Sequence, residues 1–286
     1  MAAFGHAAAA LESRSWADAR VRGVLFTAAC AGSVAALGIA LDRRARNSRV
    51  GMVTATTLAT WAVLGGTSLA AEGAAMARLI EAGDLAAARG RLPALCGRDP
   101  DGLDARALAR ATVESLAENT SDAVVAPLFW GAVLGLPGLL GYRAVNTLDA
   151  MVGHRSPRYA RFGWAAARLD DIANLVPARL TSLLAVTLAP AAGGSAYRAW
   201  QTLRRDGPDH PSPNAGRCEA AFAGALGVQL GGTSSYHGRA ERRGLLGDGP
   251  PPAAADIRRA ILLSRLTGAA ATLLAAAIAL LAGGRR

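Results

Sequence analysis

Between positions 104 and 179 the chain reads DARALARATVESLAENTSDAVVAPLFWGAVLGLPGLLGYRAVNTLDAMVGHRSPRYARFGWAAARLDDIANLVPAR. Glu114, Glu118, Asn119 and Asp122 precede one apolar run, and Arg143, Asn146, Asp149, Arg168, Asp170, Asp171, Asn174 and Arg179 follow it. Charges beside membrane-grade hydrophobic sequence are costly to desolvate, so this many of them point to a site. The set offers carboxylate and amide oxygens with guanidinium groups, and no His/Cys metal spacing. That chemistry suits Mg²⁺ and phosphate. Magnesium takes one or two carboxylates together with substrate phosphates, and arginine grips phosphate or carboxylate in a bidentate fork.

Single motifs carry different weight. RLDDIAN places an arginine, two carboxylates and an amide on one short helix. Asp170 and Asp171 point about 100° apart around its axis, so one is expected to meet metal or substrate while the other holds an arginine such as Arg168. A DD pair occurs by chance everywhere; recurrence of the same chemistry in ENTSD, NTLD and DHPSPNAG raises its weight. Asn214 and Gly216 open an Ala-rich helix whose N-terminal N–H groups offer an anion site. On the helix capped by Asp104, the residues Arg106, Arg110, Glu114 and Glu118 recur every four positions and form one stripe. For the two arginines a solvated ion-pair ladder is the plainer reading. His154 and His210 lie inside polar motifs and can orient a carboxylate or donate to phosphate, whereas His6 and His237 sit in surface contexts. Trp164 with Phe162 reads as packing or as an interfacial anchor.

The elements that must hold these groups are helical and apolar. Hydrophobic residues make up 52% of the 286, with 33 Gly and a mean hydropathy of +0.25, a mix that suits closely packed membrane helices. The expected fold class is all-α: a polytopic helical membrane protein, one domain over 1–286, with re-entrant helical hairpins as an option. The first 20 residues suit a short amphipathic helix and lack a cleaved-signal pattern. Spans are expected near 24–41 and 50–71, joined by the basic DRRARNSR connector that the positive-inside rule places in the cytoplasm. Residues 72–103 read as a small, polar, solvent-facing helical insertion broken by Pro93 and the Asp99–Gly102 turn. The run 123–145 is long enough to span, but Gly135, Pro137 and Gly138 interrupt it. A hairpin that enters and returns on one side therefore competes with a plain span. The run 181–200, broken by Pro190, Gly193 and Gly194, poses the same choice. Residues 233–256 read as loop, with Asp256 capping a last apolar helix over 257–283 that Arg265 interrupts.

Charge and cysteine usage narrow the function. The net charge of +10 is carried by arginine alone. With no lysine, P-loop and Schiff-base lysine chemistry are excluded. Arginines scattered between apolar runs speak against nucleic acid as a partner. Cys30, Cys96 and Cys218 are far apart and form no C-x-x-C pair, as expected of free thiols in a reducing compartment.

Three ordered blocks, VESLAENTSDAVVAPLFW, YRAVNTLDAMVGHRSPRYARFGWAAARLDDIANLVPARLT and DHPSPNAGRCEAAFAGALGVQLGG, resemble the CobD/CbiB family, the adenosylcobinamide-phosphate synthases of cobalamin biosynthesis. The resemblance runs from the N-terminal region to the last helix. It implies a multi-pass protein of the bacterial inner membrane that joins adenosylcobyric acid to aminopropanol or its O-phosphate, with ATP consumed and the active site on the cytoplasmic side. Other membrane enzymes of the corrin pathway are implied as partners. Two features depart from the family pattern. Members usually open with another apolar helix, carrying a D-P turn and an H-P-V segment, before the point where MAAFGHAAAALE stands; a late start or one helix fewer is expected, which bears on helix count and orientation. Arg217–Cys218 also stands where Trp–Pro is common after PNAG, so Cys218 receives no role.

Amide formation needs an activated acyl group, most simply an acyl phosphate made from ATP, with Mg²⁺ and arginines stabilising phosphoryl transfer. Under this reading Glu118, Asp122, Asp149 and Asp171 are the catalytic carboxylates, and Asp122, Asp170 and Asp171 are the metal ligands. Asn119, Arg143, Asn146, Arg168, Asn174, Arg179, His210, Ser212 and Asn214 bind substrate or phosphate. A corrinoid or small-anion transporter would also use broken helices and intramembrane charge, with inverted internal symmetry as its mark; no internal repeat is visible. A non-catalytic scaffold for corrin enzymes would need few buried charges.

Overall fold

The computed structural model describes residues 2–154, 156–236 and 238–283, so His237 lies outside the described residues. The chain is mostly helical: α1 (Ala2–Ser15), α2 (Arg20–Ala45), α3 (Arg49–Val63), α4 (Gly66–Glu81), α5 (Leu85–Arg91), α6 (Ala105–Thr120), α7 (Ala126–Leu134), α8 (Leu136–Leu148), α9 (Trp164–Ala173), α10 (Leu175–Leu188), α11 (Ala196–Asp206), α12 (Ala215–Leu226) and α13 (Ala254–Gly283). An antiparallel hairpin, β1 (Leu230–Tyr236) and β2 (Arg239–Leu246), interrupts this pattern where the sequence reads as loop. Its strands are short and rich in Gly, Ser and Arg, so neither hydrophobic alternation nor β-branched content marks them. Among the described residues four stretches are long and apolar enough to cross a membrane: Arg20–Ala45, Arg49–Glu81, Leu175–Ala192 and Ala254–Leu281.

The residues group into two compact units: 1–64, 126–174 and 272–286 in the first, 65–125 and 175–271 in the second. In the first unit α2 packs along α8 around Phe26, Cys30, Val145, Leu148 and Phe162. Small residues make that approach feasible: a Cβ on Gly23 would strike the Phe162 carbonyl oxygen, and one on Gly38 would meet Pro137. The outer side of α2 shows Val21, Leu25, Leu37 and Ile39, as a lipid-facing helix does. The run 123–145 does not form one helix. Gly135, at φ +69°, stops α7, and Pro137 then sits in the first turn of α8, where a missing N–H costs nothing. The two short helices fold back on each other, with Gly138 against the Trp130 carbonyl and Gly131 against Leu139.

In the second unit Met76, Leu92, Leu108, Leu116, Phe222, Leu230, Leu246, Ile257 and Leu263 build the core. Every residue of α12 except Arg217 is buried. The segment 72–103, expected to face solvent, instead supplies Met76, Ala77, Ala88, Leu92 and Leu95 to this core. Its arginines disguise an amphipathic pattern: Arg89 and Arg91 reach outward to the Leu103 carbonyl and to Glu72 while Ala88 and Leu92 turn in. Asp104 caps α6 through the Ala107 N–H at 2.8 Å, as its position predicts. Asp256 lies inside the first turn of α13 and accepts back from the Ala253 N–H, and α13 runs unbroken through Arg265.

Close helix contact makes a distinct prediction. Gly138→Ala drives a methyl into the Trp130 carbonyl and should lower stability by about 1–3 kcal/mol. Gly141→Ala, whose nearest neighbour is Ala35 at 3.7 Å, should be neutral or stabilising by up to about 1 kcal/mol. Thermal unfolding of both variants in detergent tests the contrast.

Candidate active site

The polar motifs assemble into two clusters, one in each unit. In the first unit α8 and α9 bring YRAVNTLD and RLDDIAN together. Asp170 is buried and accepts from Asn146 Nδ2 at 3.3 Å and Asn174 Nδ2 at 3.0 Å. Asn174 accepts in turn from the Tyr142 hydroxyl at 2.9 Å, and Arg143 Nη1 donates to Asn146 Oδ1 at 2.9 Å. Asp171 faces another way and takes Arg168 at 3.1 Å. The adjacent carboxylates thus divide their work as the helix geometry requires: one sits under amides, the other beside an arginine. Asp149 opens a π-helical turn, 149–153, where Gly153 leaves room for its carboxylate. A second π-helical turn, 121–125, carries Asp122. Such turns are rare and concentrate at functional sites, because the widened backbone re-aims side chains.

In the second unit α6, α12, the segment before α6 and the β-hairpin enclose a group of buried charges. Glu114 accepts from Arg98 Nη2 through one carboxylate oxygen and from the Gly231 N–H at 2.7 Å through the other. Arg98 also donates to the Tyr236 hydroxyl at 3.3 Å, and the Arg243 guanidinium lies over the Tyr236 ring at 4.8 Å. Glu219, one turn into α12, is 0% exposed, and neither of its carboxylate oxygens has a hydrogen-bond partner. Arg243 Nη1 stands 4.0 Å from it and His210 Nε2 3.9 Å. Glu118 is half-buried at the edge of this group.

Desolvation governs the protonation states. Burial, followed by the charges of Glu114 and Glu118, pushes the Glu219 carboxyl well above its ordinary value of 4.5. Burial also raises Glu118, while Arg243 and Arg98 pull it back. The His210 imidazole is pushed down by burial and by Arg243, so it is neutral and its approach to Glu219 is not an ion pair. Its Nδ1 accepts from the Ser212 N–H at 3.0 Å, which leaves the proton on Nε2, aimed at Glu219. Burial would depress the Arg98 guanidinium, but Glu114 and Tyr236 beside it hold it above the ordinary arginine range.

The PNAG helix start adjoins this group. The Ser212 hydroxyl accepts from the N–H groups of Asn214 and Ala215 at 3.3 and 3.1 Å, so part of the expected anion site is already filled from within the chain. Arg179 Nη1 reaches Asn214 Oδ1 at 3.5 Å. Asn119 turns back onto Ser115, to the carbonyl at 2.9 Å and the hydroxyl at 3.0 Å.

Comparison with known proteins fits this picture. The family model described as "CobD/Cbib protein" matches residues 1–264. The chain belongs to the CobD/CbiB family. It is 55% identical over 266 residues to the cobalamin biosynthesis protein CobD of Mycobacterium tuberculosis, covering 93% of this chain and 84% of that one. It is 45% identical over 247 residues to the protein of the same name from Rhodobacter capsulatus, covering 86% and 77%. No solved structure matches. Membership of the CobD/CbiB family makes the chain an enzyme of cobalamin biosynthesis, at the adenosylcobinamide-phosphate synthase step, with corrinoid substrates.

Within this CobD/CbiB chain, sequence reading missed Arg98, Glu219, Tyr236 and Arg243 as members of the cluster. Arg98 lies in a segment read as solvent-facing, Glu219 is a single charge in an Ala-rich helix, and the other two belong to the unrecognised hairpin. One usable signal existed: a lone Glu amid CEAAFAGAL cannot be buried without a purpose. The Arg106–Arg110–Glu114–Glu118 stripe is no ladder, since Glu114 pairs with Arg98 and Arg110 reaches the Thr233 carbonyl.

Two outcomes are expected. Folded protein keeps a proton on Glu219 that the unfolded chain releases above its ordinary value, so stability should fall as pH rises from about 5 toward the raised folded value. Glu219→Gln abolishes that proton linkage, and its stability advantage over the parent should widen as pH rises above about 5 in denaturation profiles. Arg98→Met leaves Glu114 buried and uncompensated, at about 3–5 kcal/mol, and Arg98→Met/Glu114→Gln should recover part of the loss in a double-mutant cycle.

Proposed function

We propose that the chain joins the free propionate of adenosylcobyric acid to the amine of aminopropanol or its O-phosphate, with ATP consumed, as one CobD/CbiB domain over 1–286. Family membership supports the corrinoid side of this reading. The observation that supports the chemistry is fully buried, donor-free Glu219, whose carboxyl feels the charge of half-buried Glu118.

The propionate carboxylate attacks the terminal phosphorus of ATP, giving an acyl phosphate and ADP. The amine then attacks the acyl carbon, phosphate leaves, and the nitrogen gives up a proton. Glu118 takes that proton. It stands at the edge of the cluster, and desolvation lifts its carboxyl above its ordinary value, which strengthens it as a general base. Glu219 holds a proton of its own and keeps the cluster from carrying three bare carboxylate charges. Arg179, with Asn214 at the start of α12, offers a fork for a phosphate or propionate oxygen.

Mg²⁺ is the ion this reaction implies. Among the described residues no group of three or more His, Cys, Asp or Glu side chains is arranged to hold a metal. Magnesium needs fewer protein ligands when it arrives with nucleotide phosphates. Asp122, half-buried in its π-helical turn one step beyond Glu118, is an oxygen donor that fits. Asp170 and Asp171 offer the same donor type in the other unit. When bound, the ion would neutralise charge on the transferring phosphoryl group.

The reaction is expected in the bacterial inner membrane, with the nucleotide reached from the cytoplasm. The test is product formation by protein purified in detergent, supplied with adenosylcobyric acid, the amine and ATP. ADP and product should appear in equal amounts. Glu118→Gln should lower turnover by about 10²–10⁴-fold. The parent enzyme should lose activity on acidification at a pH above the ordinary carboxylate range, following the raised Glu118 value. Corrinoid uptake by proteoliposomes without ATP-linked product would support a transporter instead.

A further inference from the structure

The second unit carries an arginine-lined cleft of about 620 Å³. Arg198, Trp200, Arg204 and Arg205 of α11 form one wall, and the C-terminal end of α12 with the Gly247–Gly249 turn forms the other. None of the groups assigned to the reaction lines it.

Its level in the unit is fixed by how the candidate spans end. Arg259, in the second turn of α13, donates to the carbonyls of Leu226 at 2.9 Å, Gly193 at 3.1 Å and Ala192 at 3.4 Å. Its neighbour Arg258 pairs with Glu81. The ends of the spans at Glu81 and Ala192 and the start of the span at Ala254 therefore lie at one height. Paired charges capping three apolar helices mark the border between hydrocarbon and headgroups.

The helix α11 begins four residues after the span ending at Ala192, with Ser195 as its cap. It exposes Tyr197 (70%) and Trp200 (42%) together with Arg198 and Arg204. Aromatic rings and arginines on one short helix are the signature of an element lying in a membrane surface. Arg205 is already held by Asp206 at 2.5 Å and Asp248 at 2.7 Å. Arg204 stacks over the Trp200 ring at 5.9 Å, and among the described residues no carboxylate lies within ion-pair distance of Arg198 or Arg204. Two guanidinium groups of the cleft are thus left without a carboxylate, one of them stacked on an aromatic ring, at headgroup height.

We propose that this cleft seats the phosphate headgroup of an anionic phospholipid. Phosphodiester oxygens accept from Arg198 and Arg204, while Trp200 and Tyr197 lie among the glycerol and upper acyl groups. Such a lipid fixes the depth at which α11, and through it α12, sits in the membrane.

The test uses the full chain in nanodiscs of phosphatidylcholine alone or with phosphatidylglycerol, read by thermal unfolding and by native mass spectrometry. Phosphatidylglycerol should raise the unfolding temperature and remain bound on release. Arg198→Gln/Arg204→Gln should weaken its retention by roughly tenfold, whereas Arg106→Gln, which removes an exposed charge elsewhere, should not. A readout that needs no arginine variant is quenching: brominated phosphatidylglycerol should quench tryptophan emission more than brominated phosphatidylcholine, and Trp200→Phe should remove the difference. Equal retention by the double variant, or equal quenching by both lipids, overturns the proposal. So does stabilisation by ADP or inorganic phosphate in lipid-free detergent that the double variant abolishes, which would make the cleft a soluble-anion site.

Discussion

One carboxylate holds the second unit's architecture to its chemistry. Glu114 takes the Arg98 guanidinium on one oxygen and the Gly231 N–H on the other, so a single buried side chain joins α6 to the segment before it and to the β-hairpin. Burying a charge is tolerable only when it is paired and hydrogen-bonded. Arg98 meets that condition for Glu114, and Tyr236 and Arg243 extend the pairing outward. Glu219 lies outside these hydrogen bonds, and this is what makes it chemically distinct: its carboxyl avoids the cost of a bare charge by keeping its proton.

Small residues make the burial possible. With α12 built mostly from Ala and Gly, neighbouring helices come close enough to exclude water; a Cβ on Gly224 would collide with the Ala199 backbone region. Close packing lowers the local dielectric and magnifies every charge left inside. A composition that reads as a generic membrane helix therefore also sets the protonation of the acidic group. The same economy appears in the first unit, where Gly23 and Gly38 let α2 lie against its neighbours and α8 presents Asn146 to Asp170.

The two π-helical turns relate this packing to function. Each interrupts a helix at a motif carboxylate, Asp122 in one unit and Asp149 in the other. A widened turn sacrifices regular hydrogen bonding, and the chain keeps that irregularity where side-chain direction matters. Arginine serves different ends by location: paired inside with carboxylates, capping carbonyls at span ends, and stacked on a tryptophan beside the cleft.

The sequence by itself determined the helical, membrane-grade character, the family, the residue types of the cluster around Asp170, and Glu114 and Glu118 of the other, because apolar runs and uncommon polar motifs are local signals. It also told that 123–145 is broken, since Gly135 and Pro137 act through their own backbone. It did not reveal the hairpin, whose Gly- and Arg-rich strands carry no alternation, nor that Arg98 turns inward. Only the tertiary structure decided which charges meet: Glu114 finds Arg98 16 residues away and Gly231 117 residues away, and i,i+4 spacing on α6 gives no hint of either. Long-range pairing in a dry interior is chosen by the packing of whole helices, and no periodicity in the chain encodes it.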